Sequence, residues 1–340
     1  MLQGHGDDKH NYPEIQSNFS SNIYPHADLT ELKAHLCRKM ELIDSYPEPE
    51  PLTLETAIAR KYGLSADNVL VTNGATDAIY LIAQTAAKNK FTHFNVGTMP
   101  TFSEYEDACR MFGLKQSDSC DKTDETGLTA LWLCNPNNPT GDVYSKDELK
   151  DFARKFDLVI IDQSYEDYTL APMMTHQEAA ESDNIIQLHS LTKTYAIPGL
   201  RIGYVIAPRQ IISLLRENTK PWAVNALAIE AGKWLVENDF KIISNLDIYL
   251  TETQRLRTML NQIPGISAAE TQTNFLIVEM ASGTAADLKD YLARKHHILI
   301  RDASNFHGLT SRHFRISTQT PDENNLLVNA VRAFMLGNQK

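Results

Sequence analysis

Between about residue 66 and residue 207 the chain alternates strand-like apolar runs with helix-length amphipathic stretches. Six runs have the length and apolar content of buried strands: DNVLVT, FTHFNVG, TALWLCNP, FDLVIID, NIIQLHS and RIGYVIAP. Helical periodicity fits three of the stretches between them: Ala75 to Ala87, Ser103 to Phe112 and Ser145 to Phe156. This alternation predicts the α/β class, with a mainly parallel sheet covered by helices on both faces.

The rest of the chain has a different pattern. Residues 209–261 indicate helices with a break near Thr219-Lys220-Pro221, and one long polar-faced helix could bridge two domains. After it, NFLIVEM, a helix over Ala285 to Lys295, ILIRD, HFRIST and a last helix from Pro321 predict a small α+β domain. We therefore expect residues 1–45 to form an N-terminal arm and part of the small domain. Residues 46–240 would form the large domain, and residues 241–340 the bridging helix and the small C-terminal domain.

Composition narrows the class of function. Hydrophobic residues make up 42% of the chain, and no apolar run approaches the ~20 residues of a membrane helix. The start, MLQGHGDDKHNYPE, lacks the basic and apolar segments of a secretory signal, so we expect a cytoplasmic protein without a membrane partner. The 43 acidic and 32 basic residues give a net charge of -11 with no basic tract, which disfavours nucleic acid and favours a small-molecule substrate.

The four cysteines, Cys37, Cys109, Cys120 and Cys134, lie far apart in the chain. They form no CxxC pair, and no histidine stands at metal-ligand spacing. This pattern argues against a disulfide framework and against a zinc site. We expect reduced thiols and no bound metal.

The stretch SLTK, Ser190 to Lys193, allows two interpretations. It fits the active serine of penicillin-interacting enzymes and also a lysine that holds an aldehyde cofactor as a Schiff base. The serine interpretation needs an S-D-N after the SxxK and a K-T-G. Here Ser182-Asp183-Asn184 precedes it by a few residues and no K-T-G exists. The lysine interpretation is therefore favoured.

Polar groups follow several of the predicted strands, where open α/β sheets bind ligands. TNGATDA, Thr72 to Ala78, could cradle a phosphate on backbone amides at a helix N-terminus, although an Asn-Gly turn explains it equally simply. CNPNNPTG, Cys134 to Gly141, fixes asparagine side chains between two prolines. Asp162 ends a very apolar run, where a carboxylate needs either a cationic partner or the role of a helix N-cap.

Together NPNNPTG, Asp162 with Tyr165, SLTKTYAIPGLRIGY and the late HFRIST resemble the class I/II aminotransferase family, in the family's order and over nearly the whole chain. The resemblance implies pyridoxal-phosphate (PLP) fold type I, with a three-layer αβα large domain that binds PLP and a small α+β domain. It also implies an enzyme that acts at the α-carbon of an amino acid.

The resemblance assigns roles to individual residues. Lys193 matches the Schiff-base lysine that also moves the substrate's α-proton, and Asp162 matches the partner of the pyridine nitrogen. Asn138 and Tyr165 match the groups that hydrogen-bond the phenolic oxygen of the ring. Phe102 matches the stacking aromatic, although an ordinary core aromatic is the simpler explanation without the family. The cofactor phosphate would be held by Gly74, Ala75, Thr76, Ser190 and Arg201.

Tyr46 resembles a tyrosine that reaches the cofactor phosphate of a neighbouring subunit in family dimers. The resemblance therefore implies a homodimer with shared active sites. One departure is Gln163-Ser164, where the family more often has Glu-Ala after the aspartate.

Several stretches resemble one branch, the threonine-phosphate decarboxylases, which are relatives of the histidinol-phosphate aminotransferases: GHGDD, NFSSNIYP, PWAVNALA and ILIRDASNFHGLTSRHFRIS. In that branch the matching positions Arg315, Arg301, Asn22, His5 and Gly6 bind an anionic substrate. Arg315 corresponds to the general carboxylate clamp, whereas His5 could equally be a terminal histidine without a role. Asp7 replaces a glycine and Tyr24 an asparagine of the branch pattern.

The reaction itself stays open between decarboxylation of a phosphorylated amino acid and amino transfer. The two share the same cofactor and differ in which α-carbon bond is broken, which spacing in the sequence does not reveal. A cofactor-binding regulator without turnover and a purely structural α/β protein are the alternatives from other classes.

Overall fold

In the computed structural model, residues 7–12, 14–117 and 127–337 are described. The strands in chain order are β1 (Ser17–Asn18), β2 (Val69–Thr72), β3 (Phe91–Val96), β4 (Lys115–Gln116), β5 (Leu128–Cys134), β6 (Leu158–Asp162), β7 (Ile185–His189), β8 (Gly203–Ile206), β9 (Ile266–Ala268), β10 (Phe275–Met280), β11 (Ile298–Leu299), β12 (Arg301–Asp302) and β13 (His313–Ser317). The helices are α1 (Thr30–Arg38), α2 (Leu52–Tyr62), α3 (Ala75–Lys88), α4 (Glu104–Met111), α5 (Lys146–Lys155), α6 (His176–Ala180), α7 (Leu191–Thr194), α8 (Arg209–Arg216), α9 (Ala226–Glu237), α10 (Leu246–Asn261), α11 (Ala285–His296) and α12 (Pro321–Gly337).

The largest sheet has seven strands in the order β2-β8-β7-β6-β5-β3-β4. Its strands are parallel except β8, which runs antiparallel to both β2 and β7. Alternate side chains of β5 enter different cores, Leu131 and Leu133 on one face and Ala130 and Trp132 on the other. The sheet is therefore buried on both faces, and the predicted α/β class with a mainly parallel sheet between helices is confirmed.

A second, antiparallel sheet has the order β12-β13-β10-β9. Its core includes residues of α10, α11 and α12 together with Phe19 from the N-terminal part of the chain. The predicted segment ILIRD divides between two sheets, since β11 pairs with β1 and β12 pairs with β13. The N-terminal residues thus pack against the C-terminal part, and the limits at residues 45 and 240 stay predictions.

Local sequence explains where helices begin. Ser145 and Glu148 form a capping box at α5, because the serine hydroxyl accepts from the Glu148 amide while the glutamate accepts from the Ser145 amide. Asn225 and Asn245 cap α9 and α10 through their side chains. The predicted break near Thr219 lies between α8 and α9. Helices α1 and α2 were not predicted.

Within the described ranges, no helix combines the length and apolar character needed to cross a membrane. Cys37, Cys109 and Cys134 are free thiols, as predicted, whereas Cys120 lies outside the described residues.

Candidate active site

The carboxyl ends of β2, β5, β6 and β7 border a cavity of about 430 Å³. Twelve of the residues singled out in the sequence line it: Asn22, Ala75, Thr76, Phe102, Asn138, Asp162, Tyr165, Ser190, Lys193, Arg201, Arg301 and Arg315. Strand ends and the late β12-β13 pair thus bring distant parts of the sequence to one place. This convergence is the position expected for a ligand site in an open α/β sheet.

Gly74 forms a close-packed turn at the start of α3. Its φ of +87° lies in the left-handed region, and a Cβ on it would stand 2.8 Å from Nη2 of Arg201. Gly203 of β8 is equally constrained, because its Cβ would stand 2.9 Å from the Ala75 amide nitrogen and 2.8 Å from the His189 carbonyl oxygen. The helix N-terminus and a guanidinium therefore face the same small space, which suits an anion such as a phosphate.

Asp162 is 4% exposed at the end of β6. One carboxylate oxygen accepts a hydrogen bond from the Tyr105 hydroxyl at 2.8 Å, and the other accepts from the Ser164 amide at 2.9 Å. Burial and the Asp162 charge raise the pKa of Tyr105, so Tyr105 stays a hydrogen-bond donor. Asp162 closes a turn with Ser164 and is not a helix N-cap, since the short helix that follows begins with Tyr165 as its N-cap.

Lys193 lies in the short helix α7, with Nζ 5.6 Å from the centre of the Tyr165 ring. Burial, together with the charges of Arg315 and Arg201, lowers the pKa of its amine to about 8, against the opposing effect of Asp7 and Asp162. A larger fraction of the amine is therefore neutral near pH 7 than for an ordinary lysine. A neutral amine is the form that attacks a carbonyl carbon.

The segment NPNNPTG is fixed by its own side chains. The Asn137 amide donates to the Pro100 carbonyl at 2.9 Å, and its oxygen accepts from the Thr101 hydroxyl at 2.8 Å. This arrangement presents Asn138, whose side-chain oxygen accepts a hydrogen bond from Nη1 of Arg315. Burial raises the pKa of the neighbouring Tyr165, while Arg315 lowers it. Tyr165 is therefore a neutral phenol that can donate a hydrogen bond.

Arg301 and Arg315 are direct cross-strand partners on β12 and β13, so both guanidinium groups project from the same face of the sheet. Each is 6% exposed, and neither makes an ion pair with a carboxylate in the described part of the chain. Burial and the Arg315 charge lower the pKa of Arg301 to about 10. Buried cations that no carboxylate contacts directly are costly, which makes the pair a strong candidate for binding an anionic ligand.

Among the residues that line the cavity, two groups are buried without a hydrogen-bond partner in the described structure. They are Nε of Arg315 and both side-chain amide atoms of Asn22, which is 1% exposed. Because such groups are normally satisfied, their common position at the cavity points to a ligand that supplies the partners. A carboxylate would accept from both the guanidinium and the amide.

The profile of the family described as aminotransferase class I and II matches residues 14–331. The chain belongs to the class I and II aminotransferase family. The family is PLP-dependent, and its members include decarboxylases as well as aminotransferases.

Two curated relatives represent the two kinds of enzyme within this family, a decarboxylase and an aminotransferase. The threonine-phosphate decarboxylase of Salmonella typhimurium is 30% identical to this chain, with 96% of this chain and 93% of that protein covered. The histidinol-phosphate aminotransferase of Thermoanaerobacter pseudethanolicus is 29% identical, with 88% and 86% covered. A solved structure, the L-threonine-O-3-phosphate decarboxylase from Porphyromonas gingivalis, has a TM-score of 0.88 at 33% identity and covers 94% of this chain and 99% of that one.

Two of the predicted cofactor-binding residues lie outside the cavity lining of this class I and II aminotransferase chain. Tyr46, which was expected to reach the site of a neighbouring subunit, is 86% exposed and packs on Trp222 with ring centres 5.5 Å apart. Gly74 forms the turn beside the cavity without lining it. His5 and Gly6 lie outside the described residues.

Several lining residues were not predicted. Tyr105, Ser20 and Phe306 line the cavity. Ser20 and Phe306 lie in the stretches NFSSNIYP and ILIRDASNFHGLTSRHFRIS, but neither residue was assigned a role. Tyr105 lies in the predicted helix Ser103 to Phe112, and the helical periodicity there gave no indication of a contact with Asp162. The roles of all these residues at a ligand remain proposals.

Proposed function

We propose that this protein is a PLP-dependent enzyme that acts at the α-carbon of a small anionic, phosphorylated amino acid, with decarboxylation as its reaction. The observation that supports this most directly is the meeting of three groups in one cavity: the Lys193 amine, the buried Asp162 carboxylate and the Arg315 guanidinium. An amine, a carboxylate and a carboxylate clamp are the minimum that such chemistry requires.

The cavity has a suitable group for each part of PLP. Lys193 would bind the aldehyde, and Asp162 would pair with the protonated ring nitrogen. Asn138 and Tyr165 would donate hydrogen bonds to the phenolic oxygen, and Phe102 would stack on the ring. When bound, PLP supplies an electron-withdrawing ring that stabilises negative charge at the substrate's α-carbon. The phosphate would be held by Gly74, Ala75, Thr76, Ser190 and Arg201, on a turn whose backbone packs closely against Gly203.

The protein's own residues would then orient and exchange protons. Arg315 and Asn22 would bind the substrate carboxylate through atoms that have no partner in the described structure. Arg301, beside Arg315 on the sheet, would bind a second anionic group of the substrate. The Lys193 amine, with its lowered pKa, would carry a proton to or from the α-carbon. Which α-carbon bond breaks depends on the orientation that these clamps impose.

Amino transfer is the second candidate, favoured by the similarity to histidinol-phosphate aminotransferases. Incubation of the PLP-loaded protein with O-phospho-L-threonine, and separately with histidinol phosphate and 2-oxoglutarate, distinguishes the two. We expect CO₂ from the first mixture and no glutamate from the second. Glutamate without CO₂ would establish the aminotransferase and refute the decarboxylase.

We also propose a homodimer in which Tyr46 reaches the neighbouring subunit's phosphate site. The exposed position of Tyr46 and of Trp222, which is 50% exposed, supports this arrangement because large aromatic groups on a surface are typical of interfaces. The mass of the protein in solution tests the assembly. A monomer that turns over substrate normally would exclude it.

Gly203→Ala tests the phosphate site. The added methyl group must displace the Ala75 amide or the His189 carbonyl, so we expect a loss of about 1–3 kcal/mol in the free energy of unfolding. We also expect roughly 10–100-fold weaker binding of PLP, because its phosphate contacts move. Gly199→Ala is the matched control, since a Cβ there meets no atom within 4 Å. Thermal melting and PLP titration measure both effects, and undiminished PLP affinity in Gly203→Ala would place the phosphate elsewhere.

A further inference from the structure

Asp7 brings an acidic group into the cavity that holds Arg301 and Arg315. It lies in the N-terminal segment, far in the sequence from every other lining residue except those of residues 20–22. The lining then contains four basic side chains, Lys193, Arg201, Arg301 and Arg315, and two carboxylates, Asp7 and Asp162. Asp162 has a role in the proposed function, whereas Asp7 has none.

Hydrogen bonds hold Asp7 in place. Its backbone amide donates to the Ser20 hydroxyl at 3.0 Å, and its carboxylate accepts from the Asn18 side chain at 2.6 Å. The Ser20 carbonyl in turn accepts from Nη2 of Arg315 at 2.8 Å. Asp7 is therefore tied to the same short segment that contacts Arg315, and the position of its charge relative to the guanidinium is defined.

The backbone of Asp7 has a φ of +60°, in the left-handed region that favours glycine. Aspartate tolerates this region better than most residues, but it still costs conformational energy. An acidic side chain thus stands at a position where the backbone would favour a residue without one. Its carboxylate also opposes the cationic field at Lys193, which Arg315 and Arg201 produce.

The charges can be assigned to ligand groups if the proposed function is correct. Arg201 faces the cofactor phosphate and Asp162 the ring nitrogen, which leaves Arg301, Arg315 and Asp7 for the substrate. A substrate carboxylate neutralises Arg315. The distal group of the substrate then meets the charge of Arg301 in a cavity that also contains the carboxylate of Asp7. A singly charged anion is easier to accommodate there than a doubly charged one.

We propose that Asp7 is a specificity-determining residue: its carboxylate limits the charge of the substrate's distal group, so that the cavity favours a monoanion over a phosphate dianion. This inference rests on the proposed function and narrows it. The favoured substrate within the proposed class is an amino acid with one carboxylate and a phosphate ester in its monoanionic form, and a sulfate ester has the charge of that form at any pH near neutral.

Two inert ligands isolate the charge of the distal group. The phosphate and sulfate esters of 3-hydroxybutanoate have nearly the same shape and keep the carboxylate, but they lack the amine that would start a reaction. At pH 8 the phosphate group of the first ester carries two negative charges, since its second pKa is about 6, and the sulfate group of the second ester carries one. Calorimetry on the PLP-loaded protein gives the dissociation constant of each, and their ratio cancels effects common to both ligands.

Asp7→Asn removes the charge and keeps an oxygen acceptor for Asn18. We expect it to lower the ratio of the phosphate to the sulfate dissociation constant by about tenfold relative to the wild type, because one like charge near the dianion is lost. Asp290→Asn is the matched control. Asp290 makes an exposed ion pair with Arg294 and does not line the cavity, so its substitution should leave the ratio within about twofold.

Asp7→Gly is the second variant, because the backbone at φ +60° accepts glycine without strain. It should shift the ratio in the same direction as Asp7→Asn. An unchanged ratio in both variants, or an equal shift in Asp290→Asn, would overturn the inference. If neither ester binds to the wild type or to any variant, the proposed substrate class fails, which is a different result from binding with an unchanged ratio.

Discussion

Lys193→Ala is expected to abolish turnover, with a loss on the order of 10⁶-fold, the size of effect seen when a covalent nucleophile is removed. The amine at this position is the only described lysine that lines the cavity. Borohydride reduction of the PLP-loaded wild type followed by peptide mass spectrometry should find the label on Lys193. The same treatment of Lys193→Ala should leave the protein unlabelled and colourless.

Lys193→Arg is the control, because it keeps a positive charge in the cavity but has no amine that can form the Schiff base. It should be as inactive as Lys193→Ala. The rate at which the cofactor-free wild type captures PLP should rise about tenfold per pH unit below the lowered pKa of about 8 and level off above it. A rate that rises without a break toward the ordinary value of 10.5, or a label on another lysine, would refute the assignment.

Asp162→Asn should lower kcat by roughly 10²–10³-fold while substrate binding changes little. Asparagine is nearly the same size, but it provides no negative charge to keep the ring nitrogen protonated. The Tyr105 hydroxyl can still donate to the amide oxygen, so the fold should persist. Steady-state kinetics, with PLP occupancy checked by absorbance, separate lost chemistry from lost cofactor.

Tyr105→Phe makes a smaller change at the same carboxylate and is compared with Asp162→Asn. It removes one hydrogen bond to the Asp162 carboxylate and leaves the charge in place. We expect a loss of about tenfold or less, consistent with one hydrogen bond to a charged group. If Tyr105→Phe were as inactive as Asp162→Asn, positioning of the carboxylate and not its charge would be the important factor.

The sequence was sufficient to predict most strands and helices of the large sheet and its layers, because these elements depend on local patterns of apolar and polar residues. Each of the six apolar runs contains a strand, and the predicted helix Ala75 to Ala87 agrees with α3 (Ala75–Lys88) to within one residue. The direction of β8 was not predictable, because alternation of apolar residues is the same for parallel and antiparallel strands. For the same reason, the apolar pattern of ILIRD does not show that its residues divide between two sheets.

The sequence identified those cavity residues that lie in short motifs, because each motif fixes its own backbone geometry. Asn138, Asp162 and Lys193 lie in motifs that fix the backbone around them. Tyr105 and the Asp7–Ser20 contact were not accessible in this way, because they depend on packing between elements far apart in the chain. The pairing of Arg301 with Arg315 likewise depends on strand register, which the residue types alone do not specify.

That register limits how the chain can change in length. β12 and β13 are joined by residues 303–312, and the pairing of Arg301 with Arg315 requires both strands to keep their present alignment. Insertion or deletion of a single residue, if it slid one strand past the other, would turn one guanidinium to the opposite face. Ala303 and Phe306 are buried beside Ile277, so the connection itself has little room to absorb the change. We therefore expect related chains that keep both arginines to keep the length of this hairpin as well.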